Sequence, residues 1–119
     1  MTFGDDWVLV GGMTPEIADR LRTPIENWEG FSEKKMFGGI CFLLHGNMIS
    51  GVTKDDDVMC RVGKDQYQEA LDRPEASPMV MNGRTMGGYV LLDLDGLTAA
   101  DLHAWMEMAQ RFVRTLPPK

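Results

Sequence analysis

A chain of 119 residues with 44% apolar and 25% charged residues has the composition of one soluble globular domain, which needs no disulfide or metal to complete its core. Twelve Lys and Arg against eighteen Asp and Glu give a formal net charge of -6, which repels a phosphate backbone unless basic side chains gather on one face. Broad nucleic-acid binding is therefore disfavoured, and no apolar stretch is long enough to predict a membrane span.

The cysteines and the N-terminal segment predict a cytoplasmic protein. Cys41 and Cys60 lie in apolar runs and not at the loop positions where small secreted proteins place disulfides. Residues 1–13 form an N-terminal extension in which two acids precede a short apolar run, unlike a signal peptide. Two interpretations of this extension stay open, an added strand or contact with a neighbour and a loose tail.

The first predicted element is a helix over residues 14–28. It begins with Thr14-Pro15-Glu16, which supplies a capping hydroxyl, a proline suited to the first turn and an acid near the positive end of the helix dipole. Apolar residues follow at helical spacing. Thr23-Pro24 is expected to interrupt or kink this helix, because the residue before a proline avoids helical angles.

A three-strand meander and a short helix are predicted next. The strands are 34–44, 48–53 and 58–62, and the helix is 65–72. Gly46-Asn47 predicts a tight turn after the first strand, and 54–57 a charged turn after the second.

The last third of the chain predicts a strand pair and a long helix. Strands 78–82 and 85–93 flank Asn82-Gly83, and Thr98 with Asp101 predicts a capping box at the start of a helix that ends near residue 116. The order α-βββ-α-ββ-α predicts a two-layer α+β domain over 14–119, with an antiparallel five-stranded sheet and helices on one face.

Strand alternation predicts an apolar second face on this sheet. The tight turn sets residue 43 across from 48 and 41 across from 50, and the charged turn sets 53 across from 58. The possible partner surface on the face without helices consists of Cys41, Leu43, Val52, Met59 and Arg61. Such a patch favours a homodimer or a protein partner. The alternatives are coverage by the N-terminal run and a register shifted by one residue, which exchanges the faces.

Reactive residues give little support for catalysis. His45 and His103 lack a second ligand at zinc spacing and are predicted to be solvent-exposed. The two cysteines are predicted to be core or half-buried thiols, with a nucleophile or redox pair as the alternative. Asp55-Asp56-Asp57 favours a solvated turn over a calcium loop. No catalytic residue, metal or cofactor is predicted.

Two glycine pairs, Gly38-Gly39 and Gly87-Gly88, are predicted to mark bends or bulges in strands. Their spacing does not match a dinucleotide fingerprint or a P-loop. The alternative is that basic residues gather around these bends and bind a small anion or an acidic partner segment. The possible anion contacts are Lys34, Lys35, Arg61 and Arg84.

A series of short motifs resembles the N-terminal domain of the TfoX/Sxy family over about residues 14–119. The motifs include Lys34-Lys35-Met36-Phe37-Gly38-Gly39, Met59-Cys60-Arg61-Val62-Gly63, Met86-Gly87-Gly88-Tyr89 and Leu116-Pro117-Pro118-Lys119. The resemblance implies a small α+β domain similar to type III secretion chaperones, and kinship to regulators of bacterial natural competence that assist a cyclic-AMP receptor protein at promoters. It implies no catalytic residues. The family's second, helical domain is not expected in this stand-alone chain.

The residues and the resemblance together predict a non-enzymatic protein-interaction module of a bacterial cytoplasm. It is expected to form a homodimer or to bind another protein, and to have an accessory, competence-type role in transcription regulation. The alternative function is a small-anion or nucleic-acid-binding protein that uses the basic residues near the glycine bends. An enzyme of unassigned chemistry ranks third.

Overall fold

The computed structural model describes residues 15–36 and 38–119, which form three helices and six strands. The helices are α1 (Pro15–Arg22), α2 (Tyr67–Leu71) and α3 (Ala99–Val113), and the strands are β1 (Phe31–Met36), β2 (Gly39–Leu44), β3 (Asn47–Val52), β4 (Val58–Arg61), β5 (Ala76–Met81) and β6 (Arg84–Leu92). The N-terminal extension 1–13, the predicted cap Thr14 and Phe37 lie outside the described residues.

The strands form one antiparallel sheet in the order β1-β2-β3-β4-β6-β5. Leu21 of α1, Ala70 of α2 and Leu102 of α3 belong to the same buried core, so the described helices cover one face. The predicted α+β architecture is confirmed. The prediction of five strands was wrong. The segment predicted as a single strand over 34–44 is divided between β1 and β2, because the chain reverses between Met36 and Gly39, where Gly38 has φ +81°.

The first helix ends at Arg22, directly before the predicted break. Hydrogen-bonded turns continue the chain and bury Ile25. The Arg22 guanidinium donates from Nε and Nη2 to the two carboxylate oxygens of Glu33, at 2.7 and 2.9 Å, and it also pairs with Asp19. This bidentate contact fixes α1 against the edge strand β1.

The capping box predicted for the last helix is confirmed. The Asp101 amide donates to Thr98 Oγ1 at 3.1 Å, and the Thr98 amide donates to Asp101 Oδ2 at 2.9 Å. The buried side chains of α3 are Leu102, Trp105, Met106, Met108, Ala109 and Val113. Trp105 also donates from Nε1 to a Glu75 carboxylate oxygen at 2.8 Å, which closes the end of the core.

The predicted register of β2 and β3 holds near the turn and fails further along the two strands. Leu43 faces Met48 as predicted, but the turn is His45-Gly46, and a bulge places Cys41 opposite Gly51 where Ser50 was predicted. The bulge adds one residue to β3, and a one-residue shift moves every later side chain to the other face.

Val52 is the residue that this shift changes most. It pairs with Ile40 and with Val58, where residue 53 was predicted to face 58. Its side chain is 2% exposed and belongs to the core beneath the helices. Its prediction as part of the partner surface was therefore wrong.

Candidate functional site

The outer face is the side of the sheet opposite the helices, and a row of paired residues crosses all six strands on it. From β1 to β5 the row consists of Lys34, Cys41, Gly51, Met59, Leu91 and Ser77. Leu43 and Arg61 share this face by strand alternation. The structure thus brings together four of the five residues predicted for a partner surface.

The centre of the outer face is an apolar groove of about 340 Å³. Its wall residues include Met36, Cys41, Met59, Met79, Val80 and Leu91. Met36 and Val80 are the most exposed of these, at 36% and 59%, and Met59 and Leu91 are half-buried. The sequence did not point to Val80 and Leu91, because they approach the first three strands only after β6 has paired with β4.

Both cysteines are free, buried thiols on opposite faces of the sheet. Cys60 lies under α3, where Sγ donates to the Trp105 carbonyl oxygen at 3.7 Å, and burial raises its pKa from 9.0 to about 12. Burial also raises the pKa of Cys41, with Lys34 opposing the shift. Cys60 is a core thiol as predicted, and Cys41 is a buried thiol of the outer face. Both environments disfavour the thiolate that a nucleophile or redox pair needs.

Cys60 is expected to resist alkylation by iodoacetamide at pH 8 in the folded protein and to react fully in denaturant. The folded state holds the thiol protonated up to about pH 12, whereas an unfolded chain ionises it near 9.0, so stability also falls as the pH rises through this interval. Peptide mapping by mass spectrometry measures the extent of alkylation at both cysteines, and Cys41 serves as the internal comparison. Rapid modification of Cys60 in the folded chain would contradict the buried thiol.

The histidines and the aspartate run are surface features, as predicted. His45 and His103 are exposed, and their nearest carboxylates are at 3.9 and 3.8 Å. Thr53 Oγ1 accepts from the Asp55 and Asp57 amides, which closes the turn. Among residues 15–36 and 38–119, no group of three His, Cys, Asp or Glu side chains is placed to hold a metal ion.

The four residues predicted as anion contacts do not gather at one place. Lys34 and Lys35 are neighbours on β1, and strand alternation sends their side chains to opposite faces. Arg84 begins β6 in the hairpin with β5. Lys35 pairs with Ile40 beside the Gly38-Gly39 bend, whereas Arg61 lies at the other bend, next to Gly88.

A second concave region, the end cavity, lies where β4 leaves the sheet, beside β6 and the last turns of α3. Its volume is about 410 Å³, and its wall includes Arg61, Lys64, Gly87, Gly88, Arg111 and Phe112. The order of residues did not group Lys64 and Arg111 with Arg61, because Lys64 directly precedes the predicted helix 65–72 and Arg111 lies within the predicted last helix. Pairing of Arg61 with Tyr89 is what brings these segments together.

Comparison with known proteins adds one finding to this geometry. A family model described as TfoX N-terminal domain matches residues 25–113, which is most of the chain. No curated protein and no solved structure matches. None of the described helices is both long and apolar enough to cross a membrane.

Proposed function

Because this chain belongs to the TfoX N-terminal domain family, we propose that it is a competence-type regulatory module that works by protein contact and not by catalysis. The observation that carries the proposal is the apolar outer face. Monomeric soluble proteins rarely expose contiguous apolar patches larger than roughly a few hundred Å², and patches above that size mark binding sites.

The charge distribution supports this use of the outer face. Glu33 is the only acid within the described strands, and it points to the helix side, where it pairs with Arg22. The outer-face strand positions therefore carry no carboxylate, although the chain has a net charge of -6. Depletion of charge at the centre of a patch is the compositional signature of a protein interface.

The edges of the sheet are poor sites for association. One edge strand, β1, contains Glu33, Lys34 and Lys35 in succession, and charged residues hinder the addition of another strand. The other edge strand, β5, carries Pro78 and a register irregularity. Proline lacks the backbone donor that a new strand needs. The outer face is left as the surface available for pairing.

The occupant that we propose for the outer face is a second copy of the chain. The groove has apolar walls, and its rim carries Lys54 together with Asp55 and Asp57. A two-fold axis places the same patch of both copies in contact, so the basic rim of one copy can face the acidic rim of the other. Such an arrangement removes the apolar centre from water in both copies at once.

The mass in solution tests this dimer. Light scattering after size-exclusion chromatography is expected to give twice the chain mass of 13.3 kDa. Met59→Asp is expected to give a monomer, because it places an unpaired carboxylate at the centre of the outer face. Gln68→Asp, on an exposed position of α2 in the opposite layer, is the matched control and is expected to stay dimeric. A wild-type mass of 13.3 kDa over a wide concentration range would contradict the dimer.

A further inference from the structure

We propose that the end cavity binds a small organic anion, in which a phosphate or carboxylate group is joined to a planar apolar group. The end cavity shares Arg61 with the rim of the outer face, but this inference does not depend on the proposed dimer. It rests on the charge, the ring contacts, the backbone and the size of the cavity.

The cavity concentrates positive charge on an acidic protein. Arg61, Lys64 and Arg111 line it, and Asp65 is the one carboxylate among its lining residues. The last turn of α3 adds about half a negative charge, which is too little to cancel the cations. None of the three cations forms an ion pair with a carboxylate in the described part of the chain. An anionic ligand supplies the missing partner.

Arg61 is held in place before any ligand arrives. Its guanidinium carbon is 5.6 Å from the centre of the Tyr89 ring and 5.3 Å from the centre of the Phe112 ring. Nη1 donates to the Met48 carbonyl oxygen at 3.4 Å. A guanidinium has five N–H donors, so most remain for a bound oxyanion. The two rings also give the cavity apolar walls against which a planar group can pack.

Arg111 is positioned through a neighbouring amide. Its Nε donates to Gln66 Oε1 at 3.2 Å. Gln66 in turn donates from Nε2 to the Val62 and Met108 carbonyl oxygens, at 3.0 and 2.8 Å. These bonds tie the cation to the loop after β4 and to α3, so less side-chain entropy is lost when a ligand binds.

Gly87 of β6 leaves bare backbone at the wall of the cavity, while Gly88 packs against Gly63. The Gly88 carbonyl oxygen accepts from the Val62 and Gly63 amides at 2.8 and 3.0 Å, which fixes the bend against the loop. A side chain at Gly87 would meet only Lys64 Cε, at 3.9 Å, so the space beside the backbone is open. A ligand can therefore approach this wall closely, which is a common reason for glycine within a strand.

The size of the cavity decides the class of ligand. A volume of about 410 Å³ is within the range of sites for small organic molecules, roughly 300–1,000 Å³. An inorganic phosphate alone would leave the Tyr89 and Phe112 walls unused. The anion is therefore expected to carry an apolar group.

Titration of the full chain with phenyl phosphate, followed by amide NMR, tests the proposal. Saturable shifts are expected for Gly63, Gly87 and Gly88, with tighter binding than for inorganic phosphate. Lys64→Gln and Arg111→Gln are each expected to weaken binding by about three- to tenfold, because each removes one charge-assisted contact. Arg84→Gln removes a cation outside the cavity and is expected to leave the affinity unchanged.

Three results would overturn the proposal. The first is the absence of saturable shifts in the wild type at probe concentrations on the order of 10 mM. The second is equal affinity for phenyl phosphate and inorganic phosphate, which would leave the apolar walls without a role. The third is an equal loss in Arg84→Gln, which would mean general charge attraction. None of these results bears on the mass in solution, so failure here is distinguishable from failure of the dimer.

Discussion

Phe42→Ala is expected to lower the free energy of unfolding by about 3–5 kcal/mol, the usual cost of removing a fully buried aromatic side chain. Phe42 is 0% exposed at the centre of β2. Its ring stacks on Phe31 with 6.2 Å between centroids, and the Arg22 guanidinium carbon is 5.6 Å from the ring centre. The substitution therefore leaves a cavity between β2, the edge strand and α1. Urea unfolding followed by circular dichroism measures the loss.

Leu43→Ala is the matched control, because Leu43 is the next residue of the same strand and faces the outer side. It is only half-buried, so we expect a loss of about 1 kcal/mol in dilute protein. The contrast between neighbouring residues measures how differently the two faces are covered. Equal losses would mean that the outer face is packed as tightly as the core, and the argument for a docking surface would fail.

Gly63→Ala is expected to lower the free energy of unfolding by about 2–4 kcal/mol, from backbone strain together with overpacking. Gly63 has φ +79°, which side-chain-bearing residues rarely adopt. A Cβ atom there would lie 2.5 Å from Phe112 Cγ. The ring also holds the Arg61 guanidinium, so it cannot shift without disturbing the wall of the end cavity.

Gly83→Ala separates these two costs. Gly83 has nearly the same φ, +77°, but a Cβ atom there would meet nothing within 4 Å. We expect a loss of about 1 kcal/mol from strain alone. Chemical denaturation of both variants gives the difference, which is the cost of the contact with Phe112. Equal losses would show that the ring yields freely and that the cavity wall is not fixed.

Arg61 links the two surfaces and is for that reason a poor probe of either. Its backbone pairs with Tyr89 in the outer-face register, while its guanidinium reaches the Phe112 ring of α3 at the end of the sheet. A substitution there would change both the rim of the outer face and the end cavity. Met59 tests the first surface, and Lys64 with Arg111 tests the second, without this overlap.

Features that depend on a few neighbouring residues were predictable from the amino-acid order. Thr98 and Asp101 cap α3 through two bonds that span three residues. Asn82-Gly83 closes the last hairpin with positive φ at both positions. In each case the side chain or the backbone preference acts within one turn, so no distant segment can change the outcome.

The bulge in β3 is a different case, because distant contacts select it. Ile49 and Ser50 are both buried beneath the helices, and the extra residue lets both reach that side. Strand alternation alone places one of two neighbours outside. Burial of the apolar Ile49 side chain offsets the loss of regular pairing, whereas the Ser50 hydroxyl is buried without a hydrogen-bond partner among the described residues. The bulge is also what moved Val52 into the core and left the outer face narrower than predicted.

The basic cluster of the end cavity depends on the fold most strongly. Proximity along the chain to the glycine pairs predicted Lys34, Lys35 and Arg84 as anion contacts. In the structure these three side chains do not gather at one site. Lys64 and Arg111 join Arg61 only because β4 pairs with β6 and α3 packs across their ends. The local order of residues determines caps, turns and strand periodicity. Long-range strand pairing and burial determine which side chains meet. The free energies of pairing and burial are gained only when the sheet and the helices assemble, so the order of residues alone does not show them.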